Sequence, residues 1–363
     1  MSWAGLREFG DRLLGRGSAA ITVPVMDGTL KPNRRLEQAA VVASVEGLDD
    51  LAGNGRTLLA SAGPALLELR GSALVERRRF DDDISAVALS PQGRLAVALQ
   101  GRRVLLFDTL DGAETARLDT AAGQPLMAAN ALAFDGEEQL LLSDGSSRHG
   151  PNHWCHDLME LGRSGRVLRW NLVDSRTELV AGDAHHAFGV LATDRAVLFS
   201  ESWRHRVVRV AANGASRPLL SELPGYPSRM AAAADGGLWL SCFVCRTQLV
   251  EFVLREPAYR KRMVAEIDPR YWIAPALSSG TSFLEPLQGA GVKQMGVLKP
   301  WAPPRSYGLV LKLSADGRIV DSLHSQVDGR HHGITAIAEH DGALFAVSKG
   351  SGRLLRVELE AAP

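Results

Sequence analysis

Short apolar stretches punctuated by turn residues run through most of the chain. The segment from Ser85 to Asp108 reads SAVALSPQGRLAVALQGRRVLLFD, apolar runs separated by Pro-Gln-Gly and Gln-Gly-Arg turns. Runs this short, bounded by Gly, Asp, Asn or Pro, are strands, and helical periodicity between them is scarce. The unit recurs six times, at Asp49–Gly71, Ser85–Asp108, Asn130–Asn171, Phe188–Val210, Ser228–Val253 and Thr335–Leu359. One such sheet cannot bury both of its faces. Stacked around an axis, six copies bury them against one another, and closing the ring protects the edges. The pattern therefore predicts an all-β, six-bladed β-propeller in one domain, against the prior of about two domains that 363 residues would give.

Two insertions interrupt the spacing. Residues 146–165 lengthen the third copy, and residues 255–305 separate the fifth copy from the sixth. Within the second, Ala258 to Ile267 reads as a short helix and the remainder is rich in Pro, Gly and Ser. Loops this long in a compact domain carry function or form lids. Ser306 to Leu323 resumes a strand-turn-strand pattern, as outer strands of the fifth or sixth blade. At the front, Trp3, Leu6, Phe9, Leu13 and Leu14 fall at helical spacing and predict a short helix packed on the body. The expected division is an N-terminal helix and extended arm over 1–40 and a propeller over 41–363, with a lid insertion at about 255–305.

Charge and composition narrow the function classes. Lys plus Arg number 41 and Asp plus Glu number 41, so the chain lacks the basic footprint of a nucleic-acid binder or a polybasic membrane binder. No apolar run is long enough to span a bilayer. The expected partner is a small-molecule substrate, with no nucleic acid and no membrane span, and the oligomeric state stays open. Three cysteines, Cys155, Cys242 and Cys245, with no apolar leader, fit a reducing, cytoplasmic location. Cys242 and Cys245 are spaced as CxxC, but residues three apart on a strand face opposite sides, and no second pair completes a zinc site. They read as ordinary strand thiols, and Cys155 is the better candidate for a reactive one. There is no G-x-S-x-G elbow, phosphate-binding loop or dinucleotide fingerprint.

The strings GRVLRWNL, HAFGVLATDRAVLFSESWRHRVVRV and LPGYPSRMAAAADGGLWLS, followed by YGLVLKLSADGRIVDSL and ITAIAEHDGALFAVS, resemble the strictosidine synthase-like proteins. These are part of the wider group of six-bladed propellers that includes paraoxonases and gluconolactonases. The resemblance spans roughly residues 45–360 and implies one of two chemistries. One is calcium-dependent hydrolysis of a lactone or ester. The other, as in the plant synthase, is metal-free condensation of an amine with an aldehyde.

In the hydrolases of that group, calcium sits at the top of the central tunnel on oxygens from the residues that start the innermost strands. Calcium takes about six to eight such oxygens. The equivalent ring in this chain is Asp49, Ser85, Asn130, Phe188, Ser228 and Thr335. Asp49 and Asn130 match the family's carboxylate and Asn ligands and are the candidate metal residues. Phe188 stands where the family has a ligand Asn, and Ser228-Arg229 replaces an Asp-Asn pair. A phenyl ring cannot ligate, and a guanidinium repels a cation. Thr335 stands where the plant synthase has its Glu, and a threonine hydroxyl lacks comparable acid–base strength. The cofactor expectation is thus calcium or another divalent metal at a reduced site, or no metal.

If the repeats close into a ring, the loops entering the innermost strands converge on one rim. They carry Asp81-Asp82-Asp83, His185-His186, Tyr226 and His331-His332, and the third-copy insertion adds His149, His153, Trp154, His156 and Asp157. Imidazoles and carboxylates around one mouth relay protons or bind a transition metal. His186, His332 and Asp83 are the catalytic candidates, the two histidines because each lies just before an innermost strand. Arg229, Phe188, Trp154, His149, Tyr226, Thr335 and Ser228 are the substrate-binding candidates. Arg229 would hold a substrate carboxylate or phosphate in a bidentate fork, or else form a salt bridge with Asp49 or a neighbouring carboxylate. Lys293 and Lys299 in the lid read as solvated. The function expected is a lactonase- or esterase-type hydrolase acting at the tunnel mouth. The alternatives are a metal-free lyase or condensing enzyme and a non-catalytic binding propeller.

Overall fold

A computed structural model describes residues 23–279 and 305–359, together with Glu285, Lys293–Gln294 and Val297–Leu298. The predicted N-terminal helix and Lys299 lie outside the described residues. The protein is a six-bladed β-propeller of four-stranded antiparallel sheets. The innermost strands are Leu48–Gly53, Ile84–Leu89, Ala129–Phe134, Ala187–Thr193, Gly225–Ala232 and Ile334–His340, in blades 1 to 6. Each packs beside the next around the axis, and the last packs beside the first. Ser306–Leu323 supplies outer strands to blade 5, whose third and fourth strands are Gly308–Leu313 and Ile319–Ser325. The ring is closed by Ala40–Ser44, which pairs antiparallel with Arg353–Glu358 as the outer strand of blade 6.

The second strands are buried on both faces, as a sheet stacked between two neighbours must be. Between blades 1 and 2, Leu59, Leu66, Leu95, Val97, Leu105 and Phe107 form one such layer. Burying each of these side chains contributes roughly 1.5–3 kcal/mol against leaving it exposed.

Every innermost strand carries a β-bulge near its start. The register shifts fall at Asp49-Asp50, Ser85, Asn130, Phe188-Gly189, Ser228-Arg229 and Thr335. A bulge leaves its extra residue out of the ladder and re-aims its groups. The second strands supply serines to the freed amides: Asp50 N donates to Ser61 Oγ (3.0 Å), Ala131 N to Ser143 Oγ (3.1 Å) and Gly189 N to Ser200 Oγ (2.7 Å). Four of the freed carbonyls turn to the axis, where the functional site begins.

Both insertions leave from connections between second and third strands, at the same end of the ring as the bulges. The first forms the helix Trp154–Met159. The second opens with Gln248–Arg255, capped by Thr247 Oγ accepting from Val250 N, and continues with Pro257–Glu266. Their apolar faces meet in a roof of Leu158, Phe188, Tyr226, Phe243, Val250 and Trp272, with Trp154 and Trp203 at its margin.

Candidate functional site

The six ring positions are brought together at one end of the tunnel, and Arg229 joins them. Its Nε donates to Asn130 O (3.0 Å), Nη1 to Asp49 O (3.0 Å) and Thr335 O (3.5 Å), and Nη2 to Ser85 O (2.6 Å). The guanidinium also pairs with Asp49 Oδ1 at 3.3 Å and Asp50 Oδ1 at 3.0 Å. Its Cζ lies 5.3 Å from the Phe188 ring centroid. Of the two roles expected for Arg229, the ion pair with Asp49 is therefore the one the side chain makes, with its fork turned onto the ring. Gly189 makes room for this: a Cβ there would collide with Ser228 O and lie 2.8 Å from Arg229 Cα.

Asp49 is held between two cations, because its Oδ2 lies 3.0 Å from Lys349 Nζ. Burial raises its pKa, but Lys349 and Arg229 outweigh burial and hold it below the usual carboxylate range. Asp50 accepts from Val87 N and Leu51 N, both at 2.8 Å. Burial pushes its pKa up to about 6, with the Asp49 charge adding and Arg229 opposing. Thr335 Oγ1 donates to Asp49 O (2.6 Å), and Ser228 Oγ bonds Ser241 Oγ (2.8 Å) and Ile334 O (3.1 Å), so both tie neighbouring blades.

Asn130 continues the site towards the roof. Its Nδ2 donates to Ala187 O (3.1 Å), which fixes the amide's orientation, and lies 3.4 Å from His186 Nε2. That nitrogen accordingly carries the lone pair. The ring proton then sits on Nδ1, 3.4 Å from Asp157 Oδ2, long for a hydrogen bond. Asp157 also accepts from Ser146 Oγ (2.6 Å) and Trp203 Nε1 (2.7 Å). Burial raises the Asp157 pKa, but His186 and these donors outweigh it and keep the group ionised. His186 stacks on Trp203 at 4.3 Å between centroids and is 1% exposed. Its backbone is left-handed at φ +62°, rare for a residue with a side chain and a common mark of functional positions. Gly145 leaves the space this chain fills, since a Cβ there would strike Asn130 Nδ2.

The other predicted residues are distributed more widely. Tyr226 is fully buried below the roof, and its hydroxyl lies 3.2 Å from Glu251 Oε1. Glu251 meets His205 Nε2 (3.5 Å) and Arg246 Nε (3.1 Å). Burial opposes its ionisation, but His205 and Arg246 prevail and hold it at about 2. Trp154 packs edge-on to Phe243 (5.1 Å) in the roof. His149 bonds Glu160 Oε2 (2.9 Å) and neighbours His156, which sits on Trp272. His332 has both ring nitrogens engaged: Nε2 donates to Gln326 O (2.7 Å), so Nδ1 accepts from Ser306 Oγ (2.7 Å). Asp83 is exposed on the rim and makes no described contact with Arg229 or His186. The cysteines are free; Cys242 and Cys245 are buried, and burial pushes the Cys155 thiol up to about 12. Asp50, Lys349, Trp203, His205 and Glu251 were not singled out from sequence. The doublet Asp49-Asp50, beside a ring position, is the signal that could have found the first of them.

The calcium that the fold group uses does not fit this ring. Both Asp49 oxygens already face cations, and the carbonyls of four blades are taken by a guanidinium. Among the described residues no group of three or more His, Cys, Asp or Glu is arranged to hold a metal. A cleft of about 760 Å3 between blades 3 and 4, lined by Phe134, Arg169, Thr193 and Asn213, lies at the opposite end of these strands and contains none of the ring residues.

No family model matches the chain. It is 22% identical to adipocyte plasma membrane-associated protein of Salmo salar, over 93% of this chain and 82% of that protein. The human protein of that name is 23% identical over the same shares. Strictosidine synthase-like protein 13 of Arabidopsis thaliana is 25% identical over 46% of this chain and 43% of its own length. Among solved structures, a gluconolactonase from Xanthomonas campestris superposes with a TM-score of 0.58 at 16% identity, covering 90% of this chain and 92% of that one. A calcium-binding regucalcin from Agrobacterium tumefaciens gives 0.53 at 11%, covering 88% and 92%. Among the described residues no helix is long and apolar enough to cross a membrane. The likeness to strictosidine synthase-like proteins, and to the gluconolactonase group in fold, that the motifs suggested is borne out by these comparisons.

Proposed function

We propose that the protein is a small-molecule hydrolase of the lactone or ester type, working at the tunnel mouth beneath the roof. The observation that carries this reading is the buried run Asp157–His186–Asn130, which ends on the ring. His186 is the general base, through the Nε2 lone pair that faces Asn130 Nδ2 when the roof is closed. Asp157 is a positioning residue that holds the opposite tautomeric proton and steadies the imidazolium once it forms. Water loses a proton to Nε2 as its oxygen adds to the carbonyl carbon. The tetrahedral oxyanion meets the half-buried Lys349 ammonium, which belongs to blade 6 and stands on the ring beside Asp49. The carbon–oxygen bond then breaks, and the alkoxide takes the proton back from His186. Because the roof closes over His186, substrate entry requires the helices Gln248–Arg255 and Pro257–Glu266 to move, while Trp154–Met159 stays and keeps Asp157 beside His186.

The gluconolactonase among the structural neighbours agrees with this reaction class. The test is a panel of lactones and aryl esters followed by acid release. His186→Asn is expected to lower turnover about 10²–10⁴-fold at a temperature well below its own unfolding midpoint. Asp157→Asn is expected to lower it less and to shift the pH profile. A panel left intact, or full activity in His186→Asn, counts against the reading.

The strictosidine synthase-like relatives favour a second reading, in which the same base serves an amine–aldehyde condensation. Its signature is a product whose mass equals both reactants less water. A binding propeller would return either ligand unchanged. For location, three free cysteines favour a reducing compartment, whereas the animal relatives carry plasma membrane association in their name. Cell fractionation separates the two.

A further inference from the structure

We propose that Arg229 is the resident cation of this propeller, filling the centre of the bulge ring in place of a divalent metal and making the ring independent of one. All six blades take part. Blades 6, 1, 2 and 3 present the carbonyls of Thr335, Asp49, Ser85 and Asn130 to the guanidinium, which enters from blade 5. Blade 4 closes the remaining sector with the Phe188 ring, against whose face the guanidinium rests. A phenyl ring offers a metal no ligand but attracts a guanidinium through its quadrupole. Phe188 and Arg229, which each look like a defect in a calcium site, are therefore complementary as a pair.

The acceptors suit this occupant. Guanidinium has five N–H groups in a rigid plane, and the carbonyls lie 2.6–3.5 Å from its nitrogens, spacing for hydrogen bonds. Calcium requires oxygens at about 2.3–2.6 Å on all sides. Charge also balances: Asp49 and Asp50 face Arg229 and Lys349. A divalent ion added to the ring beside Arg229 would meet two cations already paired with these carboxylates. Arg229 is 6% exposed, so its charge cannot be exchanged for one from solvent. The Ser85 and Asn130 carbonyls take their donors from this tethered cation, which also shares those of Asp49 and Thr335 with the hydroxyls of Thr335 and Ser241.

The full chain tests this directly. Its thermal unfolding midpoint is measured after chelation with EDTA and again with millimolar calcium or magnesium, alongside metal analysis of the purified protein. The expected result is one midpoint in all three conditions and no stoichiometric metal. A midpoint that falls on chelation, or calcium at one per chain, overturns the proposal. Arg229→Ala leaves four carbonyls and two carboxylates around an open centre. It is expected to unfold at lower temperature in EDTA and to recover with calcium, while Arg229→Lys, which reaches fewer carbonyls, falls between. An Arg229→Ala midpoint equal to that of the unaltered chain in EDTA also overturns it. Neither outcome depends on the hydrolase reading. Turnover of a lactone by a chelation-sensitive protein refutes the resident cation alone, and a metal-indifferent protein without turnover refutes the hydrolase alone.

Discussion

Blades 1 and 2 are built from the same repeat as blades 3 to 5, yet the two halves carry different residues. In blades 1 and 2 the second and third strands are joined by tight turns at Gly63-Pro64 and Gln100-Gly101-Arg102, and the layer between them is almost wholly aliphatic. In blades 3 and 5 the same connections become long insertions, and the layer above them holds Phe188, Tyr226, Phe243 and Trp272. The buried pairs Asp157–His186 and Glu251–His205 lie in this half as well. One half supplies aliphatic packing and two of the ring carbonyls, those of Asp49 and Ser85. The other adds a roof whose aromatic bodies leave polar edges that need partners, which is where titratable groups collect.

The sharpest way to break that contrast is to remove one large side chain from each half. Trp272→Ala should cost about 3–5 kcal/mol, but in the roof: protease cleavage within 248–279 should rise while the main unfolding transition stays in place. Leu66→Ala should instead lower the main transition, by about 2–5 kcal/mol. If both variants shift the same single transition, roof and ring form one cooperative unit.

A pH series sharpens the comparison. Glu251 ionises at about 2 in the folded chain against an ordinary value of 4.5, so its contribution is present above 4.5 and is lost as pH falls towards 2. That shift corresponds to about 3 kcal/mol. Glu251→Gln should therefore weaken the roof at pH 7, by no more than that amount because burial lowers the pKa of its partner His205, and the difference should vanish in acid, as read by hydrogen exchange over Gln248–Arg255. An equal difference at pH 3 and pH 7 would remove the ion pairs from the account. The smallest effect should come from the exposed Arg34–Asp328 pair (2.9 Å): Asp328→Asn should change stability by less than about 1 kcal/mol in a denaturant titration.

The repeat was legible because its period is local. Five of the six innermost strands begin one residue before the position read from the pattern, and the sixth begins at Gly225 rather than Ser228. The closing strand Ala40–Ser44 was not distinguished as a strand, because AVVAS is short, partly exposed and pairs with residues at the far end of the chain. The ring positions could be named, but not what fills them. Nothing near Arg229 in sequence shows that its acceptors come from four other blades. His332 sits before an innermost strand as His186 does, yet Ser306 and Gln326 take up its nitrogens, and only tertiary packing distinguishes the two. Lys349 lies in the last copy, remote in sequence from the Asp49 it meets.

The pairing of Ala40 with Arg356 also sets a timetable. A ribosome delivers the first of these segments long before the second, and joining them closes a loop of nearly the whole polypeptide. Such non-local pairing is slow, and until it forms the outer edge of the final sheet is an open template for other chains. The nascent protein therefore passes through an unsealed stage, in which assistance from chaperones or dilution from its own copies would matter most.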